Sequence, residues 1–158
     1  MYKITHPSSD FSRFFKQVIG GKDVCMIRKN VRLLVLDENS QYSESIRECA
    51  EMTHHSFDLE VKCVEDEGEA RELIKSWDPS VIILDAYLPK SNSFSMLEGY
   101  LAELVPVIMA SSTLSREIQR SAMAKGAVGY VEKSENFDEL ESLLTLLEDV
   151  SITFEQRH

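Results

Sequence analysis

From residue 31 onward the chain repeats one pattern five times: a short apolar run followed by a stretch with helical periodicity. The runs are Val31–Leu36, Leu59–Val64, Val81–Leu84, Pro106–Ala110 and Gly129–Val131. A run such as Val81-Ile82-Ile83-Leu84 is apolar on both faces of a strand, which suits a parallel sheet covered by helices on each side. Between the runs, Ala70, Leu73, Ile74 and Trp77 fall at i, i+3, i+4, i+7, and Phe94, Leu97, Leu101, Leu104 and Phe137, Leu140, Leu144, Leu147 make similar stripes. The helices after the first and fourth strands are less clearly striped, and the third looks short. Asn136 with Glu139 resembles a capping box, and Gly126 is placed to end the helix before the fifth strand. Five strand–helix units in about 120 residues predict a doubly wound α/β domain with helices on both faces. Right-handed crossovers leave few topologies, and the flavodoxin-like order 2-1-3-4-5 is the best match.

In such sheets ligands bind beyond the carboxyl ends of the strands. The first strand ends in Asp37-Glu38, the third in Asp85 and the fourth in Ser111-Ser112, and Lys133 follows the fifth. In the expected order these ends converge on one pocket. Each residue alone has a plain reading: a helix cap, a turn residue, a solvated lysine. Their conjunction at the correct ends of neighbouring strands is the signal. Three carboxylates in one small site repel one another, and a divalent cation removes that conflict. Oxygen donors without His or Cys favour Mg²⁺. Asp85 could then accept a phosphoryl group, with Lys133 balancing charge and the Ser111 hydroxyl bonding a phosphoryl oxygen.

Four segments carry a resemblance to the receiver domains of two-component response regulators: Val31-Arg-Leu-Leu-Val-Leu-Asp-Glu38, Val81-Ile-Ile-Leu-Asp-Ala-Tyr-Leu-Pro89, Pro106-Val-Ile-Met-Ala-Ser-Ser112 and Gly126-Ala-Val-Gly-Tyr-Val-Glu-Lys133. The similarity runs from about Val31 to Asp149. It implies a phosphoprotein with Asp85 as phospho-acceptor, and Mg²⁺ on Asp37, Glu38, Asp85 and the Tyr87 backbone carbonyl. Glu38 is implied as the more direct ligand of the acidic pair. The backbone amides of Ala86 and Ser112 would face the phosphoryl group. Ser111 and Tyr130 would form the switch, while Tyr87 and Thr113 would tune dephosphorylation. The implied donor is a histidine kinase or phosphotransfer protein, and the output is protein–protein binding through the fourth helix, fifth strand and fifth helix. Such a receiver catalyses only its own phosphorylation and dephosphorylation. The chain departs from the family pattern at Glu38, usually Asp, at Ser111, more often Thr, and at Ser134, usually Pro. A cis bond before a residue other than proline costs about 2.5–4 kcal/mol, and whether Lys133–Ser134 is cis or trans stays open in the sequence. Lys90-Ser-Asn-Ser-Phe-Ser95 lacks the usual glycine.

Residues 1–30 lie outside the resemblance and read as a basic arm. They hold six Lys/Arg against two Asp/Glu, so +4, which leaves −14 on residues 31–158. Phe11, Phe14, Phe15, Val18 and Ile19 form a helical stripe between Asp10, a plausible N-cap, and Gly20-Gly21. Several placements stay open: a mobile tail, packing on the receiver, a second copy in a homodimer, or a partner. Residues 31–150 make the receiver, and 151–158 read as a C-terminal tail. The acidic domain is expected to repel nucleic acid. No apolar run approaches the ~20 residues of a membrane span, and no secretory signal opens the chain, so the expected location is cytoplasmic. Cys25, Cys49 and Cys63 lack metal-site spacing and read as reduced thiols. His54-His55 read as a solvated helix end. Two rival readings are a pseudo-receiver, serving as a phosphorylation-independent docking or dimerisation adaptor, and a flavodoxin-like cofactor enzyme. The latter is disfavoured because Asp37-Glu38-Asn39 stands where a Gly-rich phosphate loop would be needed.

Overall fold

The computed structural model describes residues 29–113 and 115–157. The arm stripe Phe11–Ile19, with Cys25, lies outside the described residues. Five strands, β1 (Lys29–Leu36), β2 (Phe57–Val64), β3 (Val81–Asp85), β4 (Val107–Ser111) and β5 (Gly129–Glu132), form one sheet in the order β2-β1-β3-β4-β5. Every pairing is parallel, with Leu33 opposite Val81, Ile82 opposite Val107 and Ile108 opposite Gly129. The expected flavodoxin-like topology is therefore the observed one.

The helices are α1 (Gln41–Met52), α2 (Glu67–Trp77), α3 (Ser93–Met96 continuing through Leu97–Leu101 and Ala102–Leu104), α4 (Arg116–Ala124) and α5 (Phe137–Arg157). Strand side chains alternate between two cores. Leu34, Leu36, Ile82, Leu84, Val107 and Met109 face α2, α3 and α4. Leu33, Val35, Val81, Ile83, Ile108 and Ala110 face α1 and α5. All five residues of β3 are buried, as are all five of β4, which is why these runs are apolar without alternation.

Capping fixes where the helices begin. The side chains of Asp66, Asn92 and Ser115 accept the amides of Glu69, Ser95 and Ile118. Asn136 Oδ1 accepts the amides of Asp138 and Glu139, which is the Asn half of the expected capping box. Gly126 ends α4 at φ +105°, and the Ala127 N–H reaches back to the Ala122 carbonyl at 3.0 Å.

Two expectations change. The third helix is longer than it looked, because Ser93 to Leu104 is continuous, with a π-type turn over Leu97–Leu101. That turn keeps Leu97 and Leu101 buried, whereas Leu104, the end of the expected stripe, is exposed. The last helix runs on through residue 157, across the segment expected as a tail. Its apolar rhythm persists there through Val150 and Phe154, and Ser151 is buried with its hydroxyl bonded to the Glu148 carbonyl. Among the described residues no peptide bond is cis, so Lys133–Ser134 is trans.

Candidate phosphoryl-acceptor site

The carboxyl ends of β1, β3, β4 and β5 meet in one cluster. The side chains of Asp37 and Asp85 are 2 % and 11 % exposed, and both point at one ammonium. Lys133 Nζ donates to Asp37 Oδ2 at 2.5 Å and to Asp85 Oδ2 at 3.0 Å. The backbone sets this up, since the Lys133 N–H donates to the Ser111 carbonyl at 2.8 Å and fixes the loop after β5 against the end of β4.

Each carboxylate spends its other oxygen on an amide two residues along. The Asn39 N–H donates to Asp37 Oδ1 and the Tyr87 N–H to Asp85 Oδ1, both at 3.0 Å. These are Asx turns, and they turn the chain sharply just beyond each strand. The Ser93 hydroxyl at the start of α3 donates to the Asp85 carbonyl at 2.5 Å and ties that loop down. Ser111 is buried, and its Oγ accepts the Thr113 N–H at 3.3 Å. The Tyr130 hydroxyl donates to the Thr113 carbonyl at 2.9 Å, so the half-buried ring on β5 is linked to the loop after β4.

Burial alone would lower the Lys133 pKa, but the hydrogen bonds it donates to Asp37 and Asp85 outweigh it and hold the ammonium above its usual range. Tyr42, at the first turn of α1, is pushed up to about 12 by burial and then by the charges of Asp37 and Glu139. A cleft of about 330 Å³ opens beside the cluster, lined by Asp37, Asn39, Tyr42, Ser112, Lys133 and Ser134 among others. Gln41 Nε2 donates to Glu135 Oε1 across its mouth.

Of the residues expected at the site, Asp37, Asp85, Lys133 and Ser111 converge, and Ser112 lines the cleft. The amide of Ala86 does not take its expected place. The Ala86 N–H donates to the Ala110 carbonyl at 2.8 Å, extending the β3–β4 ladder by one step, so the amide that reaches Asp85 is that of Tyr87. Glu38, expected as a direct metal ligand, is exposed next to the buried Asp37. Among the described residues no group of three or more His, Cys, Asp or Glu is arranged to hold a metal. The remaining donors still suit a hard dication: two carboxylates that already share one cation, with no nitrogen or sulfur ligand beside them. Ser93 was missed by sequence reasoning. It sits in a Ser/Asn run that reads as loop, and only the asparagine two residues upstream of Phe94 hinted at a helix start.

The comparisons with known proteins bear on the family and the fold. The family model of the response regulator receiver domain matches residues 33–145. The protein-glutamate methylesterase/protein-glutamine glutaminase of Thiobacillus denitrificans is 35 % identical over 107 residues, which is 65 % of this chain and 29 % of that protein. A second such protein, from Vibrio vulnificus, is 31 % identical over 112 residues, 68 % of this chain and 32 % of that one. The chain thus spans less than a third of the length of these curated relatives. Among solved structures, a signal receiver domain from Vibrio parahaemolyticus superposes with TM-score 0.66 at 21 % identity, covering 82 % of this chain and 98 % of that one. The response regulator domain of Thermotoga maritima CheB superposes at 0.64 with 22 % identity, covering 78 % and 97 %. The Mn²⁺-bound form of the response regulator Rcp1 superposes at 0.58 with 19 % identity, covering 75 % and 91 %. At such identities the structures speak for the fold, and the family model speaks for the sequence. The chain belongs to the response regulator receiver domain family.

Proposed function

We propose that this protein is a phosphorylation-controlled signalling receiver in the cytoplasm that takes a phosphoryl group onto Asp85 from a histidine kinase or a phosphotransfer protein. The observation that carries the reading is the Lys133 ammonium held between the carboxylates of Asp37 and Asp85 at the carboxyl edge of the sheet. A structural lysine after a strand has no reason to bridge two buried acids. In the transfer, an Asp85 oxygen forms the new bond to phosphorus. The P–N bond of a donor phosphohistidine breaks, and its electron pair returns to the imidazole. Lys133 then balances charge on the arriving phosphoryl oxygens, and the Ser111 hydroxyl and Ser112 amide are the donors at the end of β4. Asp37, Asp85 and the Tyr87 carbonyl are the groups that would hold Mg²⁺, which supplies charge neutralisation when bound, and Glu38 adds negative charge at the rim.

Output follows from movement at the same edge. A change in the hydrogen bond made by Ser111 shifts Thr113, and the Tyr130 hydroxyl is bound to the Thr113 carbonyl. Two packings of Tyr130 would then present two faces of α4, β5 and α5 to an output protein. Tyr87, exposed at the rim, shields the phosphorylated Asp85 from attacking water.

The second reading is a pseudo-receiver that docks partners without phosphorylation. It draws on the exposed Glu38 and on carboxylates already satisfied by Lys133 and two amides. Incubation with acetyl phosphate and Mg²⁺ separates the two. Intact mass should rise by one phosphoryl group in the natural chain and not in Asp85→Asn, which changes charge and not shape. No added mass in either chain would establish the adaptor reading.

A further inference from the structure

The peptide unit that joins Asp85 to Ala86 is held on both sides. Its N–H donates to the Ala110 carbonyl at 2.8 Å, and its carbonyl accepts the Ser93 hydroxyl at 2.5 Å. A peptide unit is planar and rotates as one piece, so the two bonds together fix its orientation. The pairing of β1 with β3 has ended by this point, with Leu36 opposite Leu84, and the amide of Asp37 serves the Val64 carbonyl of β2. The loop that follows, residues 86–92, holds no glycine and no positive φ, so its course depends on such bonds and not on an unusual backbone. The Ser93 hydroxyl is itself firmly mounted. Ser93 is 2 % exposed and opens α3, where the Asn92 side chain accepts the Ser95 N–H at 3.0 Å and both Met96 and Leu97 are buried.

We propose that Ser93 is a positioning residue for phosphoryl acceptance. By holding the Asp85 carbonyl it orients the Asp85–Ala86 peptide, and with it the two groups on either side that the chemistry uses, the Asp85 carboxylate and the Tyr87 carbonyl. The link from that peptide to the carboxylate is direct. The Tyr87 N–H, one peptide further on, donates to Asp85 Oδ1 at 3.0 Å, and this turn closes only while the peptide between them keeps its orientation. A rotated peptide opens the turn, loosens the carboxylate beside Lys133 and swings the Tyr87 carbonyl away from it. Ser93 differs in this from the buried serines Ser43 and Ser151, whose hydroxyls bond the carbonyls of Ser40 and Glu148 three residues behind them. Those bonds satisfy a hydroxyl within one turn of chain. The bond of Ser93 spans eight residues and ends on the acceptor residue itself. The inference rests on the receiver reading of Asp85 and adds to it the residue that sets the acceptor's backbone.

Titration of the full chain with Mg²⁺, followed by amide chemical shifts, tests it, with the rate of phosphorylation by acetyl phosphate as a second readout. Ser93→Ala should weaken Mg²⁺ binding by about tenfold, the effect of losing a group that orients a metal ligand. It should slow phosphorylation at sub-saturating Mg²⁺ to a similar degree and speed hydrogen exchange of the Tyr87 amide. Ser93→Thr, which keeps the hydroxyl, should restore all three. Ser151→Ala, which removes a buried hydroxyl from α5, should lower the melting temperature without moving the Mg²⁺ midpoint. A Ser93→Ala chain that melts lower but binds Mg²⁺ and gains phosphoryl mass like the natural chain would overturn the proposal and leave Ser93 a residue of stability alone. A natural chain that shows neither Mg²⁺ shifts nor phosphoryl mass would defeat the receiver reading itself, and the role of Ser93 with it.

Discussion

Replacing Lys133 by methionine keeps most of the aliphatic stem and removes the charge that Asp37 and Asp85 share. The two Oδ2 atoms lie 2.5 and 3.0 Å from the same nitrogen. They are therefore at most about 5.5 Å apart, and at such a separation two like charges repel by about 3 kcal/mol with an effective dielectric near 20. Breaking a buried ion pair by removing one partner costs about 3–5 kcal/mol. The Lys133 side chain is 16 % exposed, so water screens part of this, and the lower end applies. The expected loss is about 3 kcal/mol at pH 7, or roughly 10 °C in melting temperature for a chain of this size. Urea unfolding with linear extrapolation reads it directly.

The pH dependence adds a second, independent signature. The folded-state pKa of Lys133 is raised from 10.5, burial being outweighed by the bonds it donates to Asp37 and Asp85. A raised pKa means that the folded state binds the proton more tightly than the unfolded chain. The lysine's contribution is therefore complete below its unfolded value of about 10.4 and is lost as pH climbs through the folded value. The gap between the natural chain and Lys133→Met should stay flat from about pH 7 to 9 and narrow above about 10.5. Mg²⁺ should also stabilise the variant more than the natural chain, since no ammonium then competes for the two carboxylates. A loss under about 0.5 kcal/mol, or a gap that stays constant through about pH 11, would show Lys133 to be a solvated surface lysine and refute the reasoning.

Gly126→Ala should destabilise by about 2–4 kcal/mol, because φ +105° strains any side chain and a Cβ there would sit 2.7 Å from the Ala102 Cβ; thermal melting checks it. Tyr87→Asn should shorten the lifetime of the phosphorylated state several-fold by opening Asp85 to water, timed by intact mass after the donor is removed; an unchanged lifetime discards the shielding role. Tyr130→Phe deletes only the hydroxyl that holds the Thr113 carbonyl, and should leave phosphorylation rates intact while blunting the difference in amide chemical shifts of α4 and β5 between the free chain and one loaded with beryllium fluoride.

The inner strands β1, β3 and β4 could be read from sequence because a strand buried on both faces needs a nearly unbroken apolar run, whereas the half-exposed edge strands β2 and β5 rested on their place in the repeat. Asp37, Asp85, Ser111 and Lys133 could be read for a related reason: each interrupts or ends such a run where polarity is costly. Direction was harder than position. Ala86 and Tyr87 differ by one step, and whether an amide continues the ladder or turns toward a carboxylate depends on where the β3–β4 pairing stops. The length of α5 was obscured because Ser151 and Thr153 look like a helix end, although their hydroxyls bond helix carbonyls behind them.

Buried polarity shows why this edge of the sheet is the place for chemistry. Six polar or charged residues are buried among the described ones: Asp37, Ser43, Asp85, Ser93, Ser111 and Ser151. Ser43 and Ser151 simply bond carbonyls in or beside their own helices. The other four surround the carboxyl ends of β1, β3 and β4, and each bonds across a loop or to Lys133. A fold that needed only stability would fill these positions with apolar side chains, since a buried ion pair is often matched or exceeded by well-packed hydrophobic residues. The chain instead holds two acids and one base in a largely buried corner, with each carboxylate oxygen hydrogen-bonded. Two carboxylates against one ammonium leave the corner at −1, so it depends on Lys133 keeping its charge. On the proposed reading, a phosphoryl group on Asp85 would change the one carboxylate that Lys133 and the loop after β3 both hold, and the Ser111 hydroxyl at the end of the neighbouring strand is bonded to Thr113, the residue that anchors Tyr130.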